Sequence, residues 1–568
     1  MFNAKNQTVV ITTTPKKIII STPGPFAKEA LKEAGCRWLG APHYCWWAPR
    51  SAAMASRIIG HLSNFEIQYT IESDEFDALL EEFKERGKVQ KVKVATELPP
   101  PPIRKTEPWL HQLQGYHFAM ALQACMLAMD MGTGKTKTTI DVCQNTPGHD
   151  GPPIFLILCP RYVVGVWPRE LKKHCAIRYE VAAPEGISVP RRVEQIARVM
   201  DMAKVKGVAC FVVINYESVL SPAMNEFLLS FTWDATICDE SHRIKSPTGK
   251  TSRIIRTKIA LKSIKRIELT GTPMPNTPLD IWSQFYFLDP GIFGSSFARF
   301  RKQYALCDQF NQPFRFINSD EMNESIYSMA FRVSADILDL PPRHRVVHSV
   351  KFEPYAQGVY NQLKKVLVAE LRTGTLSAAN GAVKLLRLQQ ITSGHAPTDE
   401  SDFAQKEIVS TAKADLLGEV LSDMKKEEPV VIFCRFIHDL NEIRRIAEAQ
   451  GRRCAEVSGR MKDQSDFVKW QNGEADILVA QIQSAKEGID CSRARYGIYY
   501  SLGFSPGDYD QSERRIWRPG QERSVTYFHL VVEGTVDEYV HSAIVKKRNI
   551  INTILEEHLE GISNETLI

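Results

Sequence analysis

Gly132-Thr-Gly-Lys-Thr136 is the segment of this chain whose residue types and spacing point most directly to chemistry. Glycines at Gly132 and Gly134, with Thr133 between them, let backbone N–H groups close around phosphates at the start of a helix. Lys135 would hold the β- and γ-phosphates of a nucleotide such as ATP, and Thr136 would ligate Mg²⁺. The loop departs from the full phosphate-loop pattern, because Met129 stands where its first glycine would be.

Asp239-Glu240-Ser241-His242 follows the apolar run Thr236-Ile-Cys238, so two carboxylates emerge at a strand end. Asp239 can hold a metal, directly or through water, while Glu240 orients and deprotonates an attacking water. Acidic residues capping a helix N-terminus would look the same in isolation. The order of loop, strand and carboxylates favours hydrolysis. A third element is Gln511-Ser-Glu-Arg-Arg-Ile-Trp-Arg-Pro-Gly-Gln521. Its Arg515 and Arg518 are three apart, so one helical turn would put both on one face. The arginine fork stays charged and suits a developing phosphoryl charge. Alone, these arginines read equally as a solvated basic helix end.

Such groups need rigid strand ends to hold them. Short apolar runs supply these: Met126–Met129, Ile154–Cys159, Ala209–Ile214, Ala235–Cys238, Arg266–Leu269, Val430–Cys434 and Ile477–Ala480, with polar, proline or glycine residues following. Continuous apolar strands of this kind fit parallel sheets buried on both faces, with ligands beyond their carboxyl ends. The series stops near residue 270 and resumes near 430, and the stretch from 275 to about 410 reads as mainly helical. The expected class is therefore α/β: two parallel-sheet lobes with helical insertions, preceded by a small α+β domain. The domains are 1–95; a proline-rich spacer at 96–107; a first lobe at 108–345 with its insertion from about 275; a second at 346–545 with its insertion to about 410; and a helical tail at 546–568.

Length and composition agree with this division. The 568 residues exceed one ordinary domain. Hydrophobic residues at 43% and charged residues at 24% fit a soluble globular protein. The net charge of +5 permits nucleic-acid binding without establishing it. No signal peptide or membrane-length apolar run occurs, and the twelve cysteines form no C-x-x-C pair, so an intracellular (cytoplasmic) protein with free thiols and no membrane partner is expected.

The N-terminal unit alternates apolar and polar residues in Thr8–Ile11 and Lys17–Ser21, then reads as a helix over Phe26–Ala34. Cys36-Arg-Trp38, Tyr44, Trp46, Trp47 and Arg50 follow. Interleaved aromatic and basic residues can stack bases and grip phosphates, whereas Trp at strand spacing also builds small cores. Both readings stay open.

From residue 108 to 545 these elements, in order, resemble the Swi/Snf-type translocases of helicase superfamily two. Met129-Asp-Met-Gly-Thr-Gly-Lys-Thr136 resembles the family's loop, although Met129 and Asp130 replace its leading acidic pair. Asp239-Glu-Ser-His-Arg-Ile-Lys245 matches its acidic motif with Ser241 for alanine, and Leu269-Thr-Gly-Thr-Pro273, followed by Asn276, matches another. Leu158-Cys-Pro160 with Trp167, and Asn215-Tyr-Glu217, match two more, and Gln511–Gln521 fits the arginine motif without a gap. The resemblance implies RecA-like lobes and a DNA-dependent ATPase using ATP and Mg²⁺. It places Gln112 at the adenine, and Gly488 and Asp490 in the segment Gln481–Asp490 that joins DNA contact to the nucleotide.

Its partner would be double-stranded or branched DNA, engaged by a monomer. Residues 1–95 resemble the HARP module of annealing-type members through Trp46-Trp-Ala-Pro49. That implies fork regression, annealing or branch migration. A strand-separating DNA helicase or RNA motor, a nucleosome remodeller and a non-hydrolysing clamp are the alternatives. Lys245, Arg161 and Arg435 each follow a strand end, and could touch phosphates or be ordinary exposed charges.

Overall fold

The apolar runs become buried parallel strands, because side chains enclosed on both faces leave no position for a polar residue until the strand ends. A computed structural model describes residues 8–22, 25–41, 43–275, 277–308, 313–373, 386–395, 408–461, 465–484, 489–503, 505–542 and 544. Asn276, Gly488 and the expected helical tail at 546–568 lie outside the described residues. The chain divides into one unit ending at Ala335 and a second starting at Asp336.

The first unit opens with a five-stranded sheet, β1 (Val9–Thr13), β2 (Lys17–Ser21), β3 (Arg37–Leu39), β4 (Cys45–Pro49) and β5 (Tyr69–Ile71), in the order β3-β4-β2-β1-β5. Alternation puts Val9, Ile11, Ile18, Ile20, Trp46 and Ala48 on one face, packed against α1 (Lys28–Glu33), α2 (Ala52–Asn64) and α3 (Asp74–Val89). The same alternation sends Trp47 to the opposite face. The core reading therefore holds for Trp46, while Trp47 on the other face carries Lys17 Nζ at 4.5 Å from its ring and Arg37 Cζ at 5.6 Å.

Ion pairs and hydrogen bonds fasten this small domain to later parts of the same unit. Arg86 of α3 pairs with Asp289 at 2.6 Å and Glu82 at 2.8 Å. Arg57 donates to Gly291 O, and Lys93 to Tyr327 O. The proline-rich spacer is likewise pinned: His117 Nε2 meets Pro99 O at 2.7 Å, and Ile103 exchanges hydrogen bonds with the Asn145 amide.

The larger sheet of this unit has seven strands: β6 (Ala124–Met129), β7 (Ile154–Cys159), β8 (Tyr179–Ala182), β9 (Ala209–Asn215), β10 (Trp233–Asp239), β11 (Ser263–Leu269) and, after the hairpin of β12 (Ala305–Cys307) and β13 (Pro313–Phe316), β14 (Ala330–Val333). The order is β14-β6-β11-β10-β7-β9-β8, and every pairing is parallel. Helices α4 (Leu110–Ala121) and α5 (Lys135–Gln144) flank β6 in the chain.

The second unit holds a six-stranded parallel sheet: β15 (Arg343–Val350), β16 (Val430–Cys434), β17 (Cys454–Val457), β18 (Ile477–Gln481), β19 (Tyr496–Tyr499) and β20 (Val525–Val532), ordered β15-β20-β19-β16-β18-β17. The class is the expected one, two parallel α/β sheets preceded in the chain by a small α+β domain. Among the described residues, the stretch from 275 to 410 is mainly helical, as in Ile281–Leu288, Phe297–Tyr304, Ser319–Tyr327 and Pro354–Thr373, but it also holds four strands the sequence did not announce, β12 to β15. Strand β14 is only four residues long, and β15 (RHRVVHSV) is an edge strand whose polar, half-exposed residues carry no apolar run. All twelve cysteines are free thiols, ten of them buried. Among the described residues no helix is long and apolar enough to cross a membrane.

Candidate functional site

The loop after β6 turns tightly enough to form a cradle because Gly132 and Gly134 take φ of 86° and 90°, a region open to glycine at no steric cost. At Gly134 the requirement is twofold, since an added Cβ would also lie 2.3 Å from Gln112 Nε2. Thr133 anchors the turn through its N–H and hydroxyl, both donating to Asp130 O. Lys135 opens α5 and its Nζ donates to Met129 O at 2.8 Å, so the ammonium lies across the loop. Thr136 is the next residue of that first turn.

Asp130, whose role the sequence left open, is a loop anchor. It is buried, and its carboxylate accepts the Ala335 N–H at 2.9 Å while its own N–H donates to Val333 O. From the other side, the Gln112 amide donates to Thr133 O at 3.1 Å and accepts the Trp109 N–H at 3.1 Å. One amide hydrogen and one oxygen lone pair of Gln112 remain, the complement an adenine edge requires. His111 also meets Thr133 O, at 2.8 Å; burial lowers its pKa, which favours the neutral ring.

Two strands away, β10 delivers Asp239 and Glu240. Trp167 Nε1 donates to Asp239 Oδ2 at 3.0 Å, and the Tyr216 hydroxyl donates to Asp239 O at 2.8 Å. Trp167 and Tyr216 belong to motifs visible in the sequence, but only the fold brings them to this carboxylate. Burial, with the charge of Glu240 beside it, pushes the Asp239 carboxyl up to about 7, against the opposing pull of Lys135. Two crowded carboxylates facing a phosphate loop are a donor set that a divalent cation would relieve, so the residues fit Mg²⁺. Glu240 itself is left-handed, at φ 53° and ψ 54°, a conformation that costs a non-glycine residue about 1–2 kcal/mol. His242 Nδ1 lies 3.4 Å from Glu240 Oε2.

Within the second unit, the helix Pro506–Ile516 carries Gln511 and Arg515, both buried. It ends at Ile516, and Trp517 leaves helical geometry at ψ 88°. Arg518 therefore lies beyond the helix, and the expected shared helical face is not formed, because Pro519-Gly520 closes the segment. Arg518 instead reaches Asp490, with Nε 3.6 Å from Oδ2. The Gln521 amide fastens the same segment by donating to Ser492 O and Ala494 O. Of the three phosphate-contact candidates, Arg161 is exposed, Lys245 pairs with Asp280 at 3.4 Å, and Arg435 is partly buried and donates to Gln389 Oε1 at 2.7 Å.

The SNF2-related domain model matches residues 79–395, more than half of the chain, and the helicase conserved C-terminal domain matches residues 412–520. The chain belongs to the SNF2-related family. Among SNF2-related relatives, it is 27% identical over 449 residues to Bacillus subtilis YwqA, named as a candidate ATP-dependent helicase/translocase, covering 76% of this chain and 46% of that protein. It is 24% identical over 483 residues to the Saccharomyces cerevisiae DNA repair and recombination protein RDH54, covering 76% of this chain and 51% of that one. It thus spans about half the length of these two relatives, but 93% of protein p41 of Acyrthosiphon pisum secondary endosymbiont phage 1, to which it is 26% identical over 75% of its own length. The solved Sulfolobus solfataricus SWI2/SNF2 ATPase core in complex with dsDNA is 23% identical, with a TM-score of 0.38 over 81% of this chain and 95% of that one.

Proposed function

We propose that this chain is a DNA-dependent ATPase that moves along double-stranded DNA and remodels branched DNA. The observation that carries the reading is the convergence at the carboxyl ends of one parallel sheet: the Gly132–Thr136 loop closes β6, and Asp239 and Glu240 close β10 two strands away. Backbone N–H groups and Lys135 bind the phosphates, Gln112 orients the base, and Glu240 takes the proton of the attacking water at its carboxylate. Thr136 and Asp239 would hold Mg²⁺, which when bound offsets phosphate charge. Arg515 and Arg518 supply positive charge as the phosphoryl group leaves.

Movement along a backbone needs phosphate contacts rather than base contacts, so binding is sequence-independent and falls with salt. The preference for branches is assigned to the N-terminal sheet face that presents Trp47 between Lys17 and Arg37, a combination suited to stacking an unpaired base.

The test is steady-state ATP hydrolysis with no DNA, single strands, blunt duplex and a model fork. Duplex should stimulate strongly and the fork further. Stimulation by single strands or RNA alone would replace the reading with a strand-separating or RNA motor, and no hydrolysis on any substrate would leave a clamp.

A further inference from the structure

Three polar side chains meet without any solvent exposure beneath the Asp239–Glu240 pair: Ser241, Glu268 of β11, and Gln284 of the helix Ile281–Leu288. Interiors favour apolar side chains at such positions unless every polar atom finds a partner. The hydrogen-bond directions here are fixed by elimination. Gln284 Nε2 faces two carbonyls, Pro273 O at 2.7 Å and Asp280 O at 2.9 Å, so that atom is the nitrogen and both its hydrogens are used. Gln284 Oε1 then faces Ser241 Oγ at 3.0 Å and must accept from it. The single Ser241 proton is thereby committed to Gln284. Burial raises the neighbouring Glu268 carboxyl well above the usual carboxylate range, and neither of its oxygens has a hydrogen-bond partner among the described residues.

Ser241 immediately follows the left-handed Glu240. The residue before Glu240, Asp239, is held by Tyr216 and Trp167. Glu240 is therefore fixed on both sides, which is what an unfavourable backbone conformation needs in order to persist. The downstream anchor is the Pro273 carbonyl, in the Thr270-Gly-Thr-Pro273 turn after β11.

We infer that Ser241 and Gln284 are positioning residues for hydrolysis: by tying the residue after Glu240 to the Pro273 carbonyl, they hold Glu240 in the left-handed conformation that presents its carboxylate to water. The inference rests on the ATPase reading of this site. It assigns neither residue any contact with nucleotide, so both must act through Glu240.

The experiment uses the full chain and compares wild type, Gln284→Leu and Ser241→Ala, each alone and combined with Glu240→Gln. DNA-stimulated kcat and KM for ATP, single-turnover rate, nucleotide affinity and melting temperature are measured for each. Each single substitution should lower kcat by about tenfold or more, the order expected when a strained conformer loses its support, with KM and nucleotide affinity kept. In the Glu240→Gln background neither should lower the single-turnover rate further, because the group they position is gone. Ser241→Ala removes a single oxygen and keeps the test open should Gln284→Leu fail to fold. An unchanged kcat in Ser241→Ala, or losses that add fully to that of Glu240→Gln, would overturn the inference while leaving the ATPase reading standing. Absence of hydrolysis by wild type on every DNA would instead sink the ATPase reading.

Discussion

Replacing Arg86 by methionine should unfasten the N-terminal domain from the part of the unit that carries the Gly132–Thr136 loop. Arg86 is 4% exposed and Asp289 2%, and their 2.6 Å contact joins α3 to the segment after the helix Ile281–Leu288. Burial alone would raise the Asp289 carboxyl; the Arg86 guanidinium, the Ser51 hydroxyl and the Gly291 N–H together reverse that and hold it below the usual carboxylate range. Without Arg86 the carboxylate stays buried without its hydrogen-bonded partner, Arg266 acting on it only at longer range, a loss of about 3–5 kcal/mol. At about 2.1 cal/mol/K of unfolding entropy per residue, a unit that runs from Met1 to Ala335 shifts by about 1.4 °C per kcal/mol, so the first unit should melt lower by roughly 4–7 °C.

The pH dependence has a definite sign. A carboxyl depressed on folding contributes stability that is fully present above its unfolded value of about 3.9 and is lost as pH falls through the folded value. The gap between wild type and Arg86→Met should therefore be widest near neutrality and shrink in acid. Thermal and urea unfolding of both proteins between neutral pH and pH 3 makes the measurement, with Asp289→Asn and the double variant completing a cycle. The double variant should lie well above the sum of the singles. A neutral-pH loss under about 1 kcal/mol, or strict additivity, would refute a buried pair as the fastening.

Three further outcomes are expected at the site. Lys135→Ala should abolish turnover, and Glu240→Gln should lower it by orders of magnitude to a slow residual rate with ATP affinity kept; hydrolysis near the wild-type rate in Glu240→Gln would remove its role as base. Gly134→Ala should cost nucleotide binding in an equilibrium titration, because φ of 90° and the 2.3 Å approach to Gln112 leave no room for a methyl group. Arg518→Ala should lower turnover by about a thousandfold or more with nucleotide affinity kept, and Asp490→Ala, which removes the arginine's 3.6 Å partner and the acceptor of the Ser492 N–H, should cost less.

What the sequence disclosed depends on how local the relevant physics is. The loop and the acidic pair were legible because each packs its chemistry into adjacent residues behind an apolar strand. Trp46 and Trp47 could not be told apart until strand register sent one to the core and the other outward. Arg518 was placed on a helix because spacing carries no warning of where helical geometry stops, although Pro519-Gly520 was the available signal. Strand β15 was missed because an edge strand needs no apolar run. The Ser241–Gln284 link was invisible for a different reason: its partners are 43 positions apart, and only the sheet and the helix Ile281–Leu288 bring them together. The pinning of the proline-rich spacer depends in the same way on partners such as Asn145 and His117, whose types alone say nothing.

The most direct test of duplex translocation is displacement of a triplex-forming strand from a blunt duplex. With ATP, the chain should release the third strand while the underlying duplex stays paired, and Glu240→Gln should release none. Separation of the duplex strands, or ATP hydrolysis with no displacement, would contradict the account.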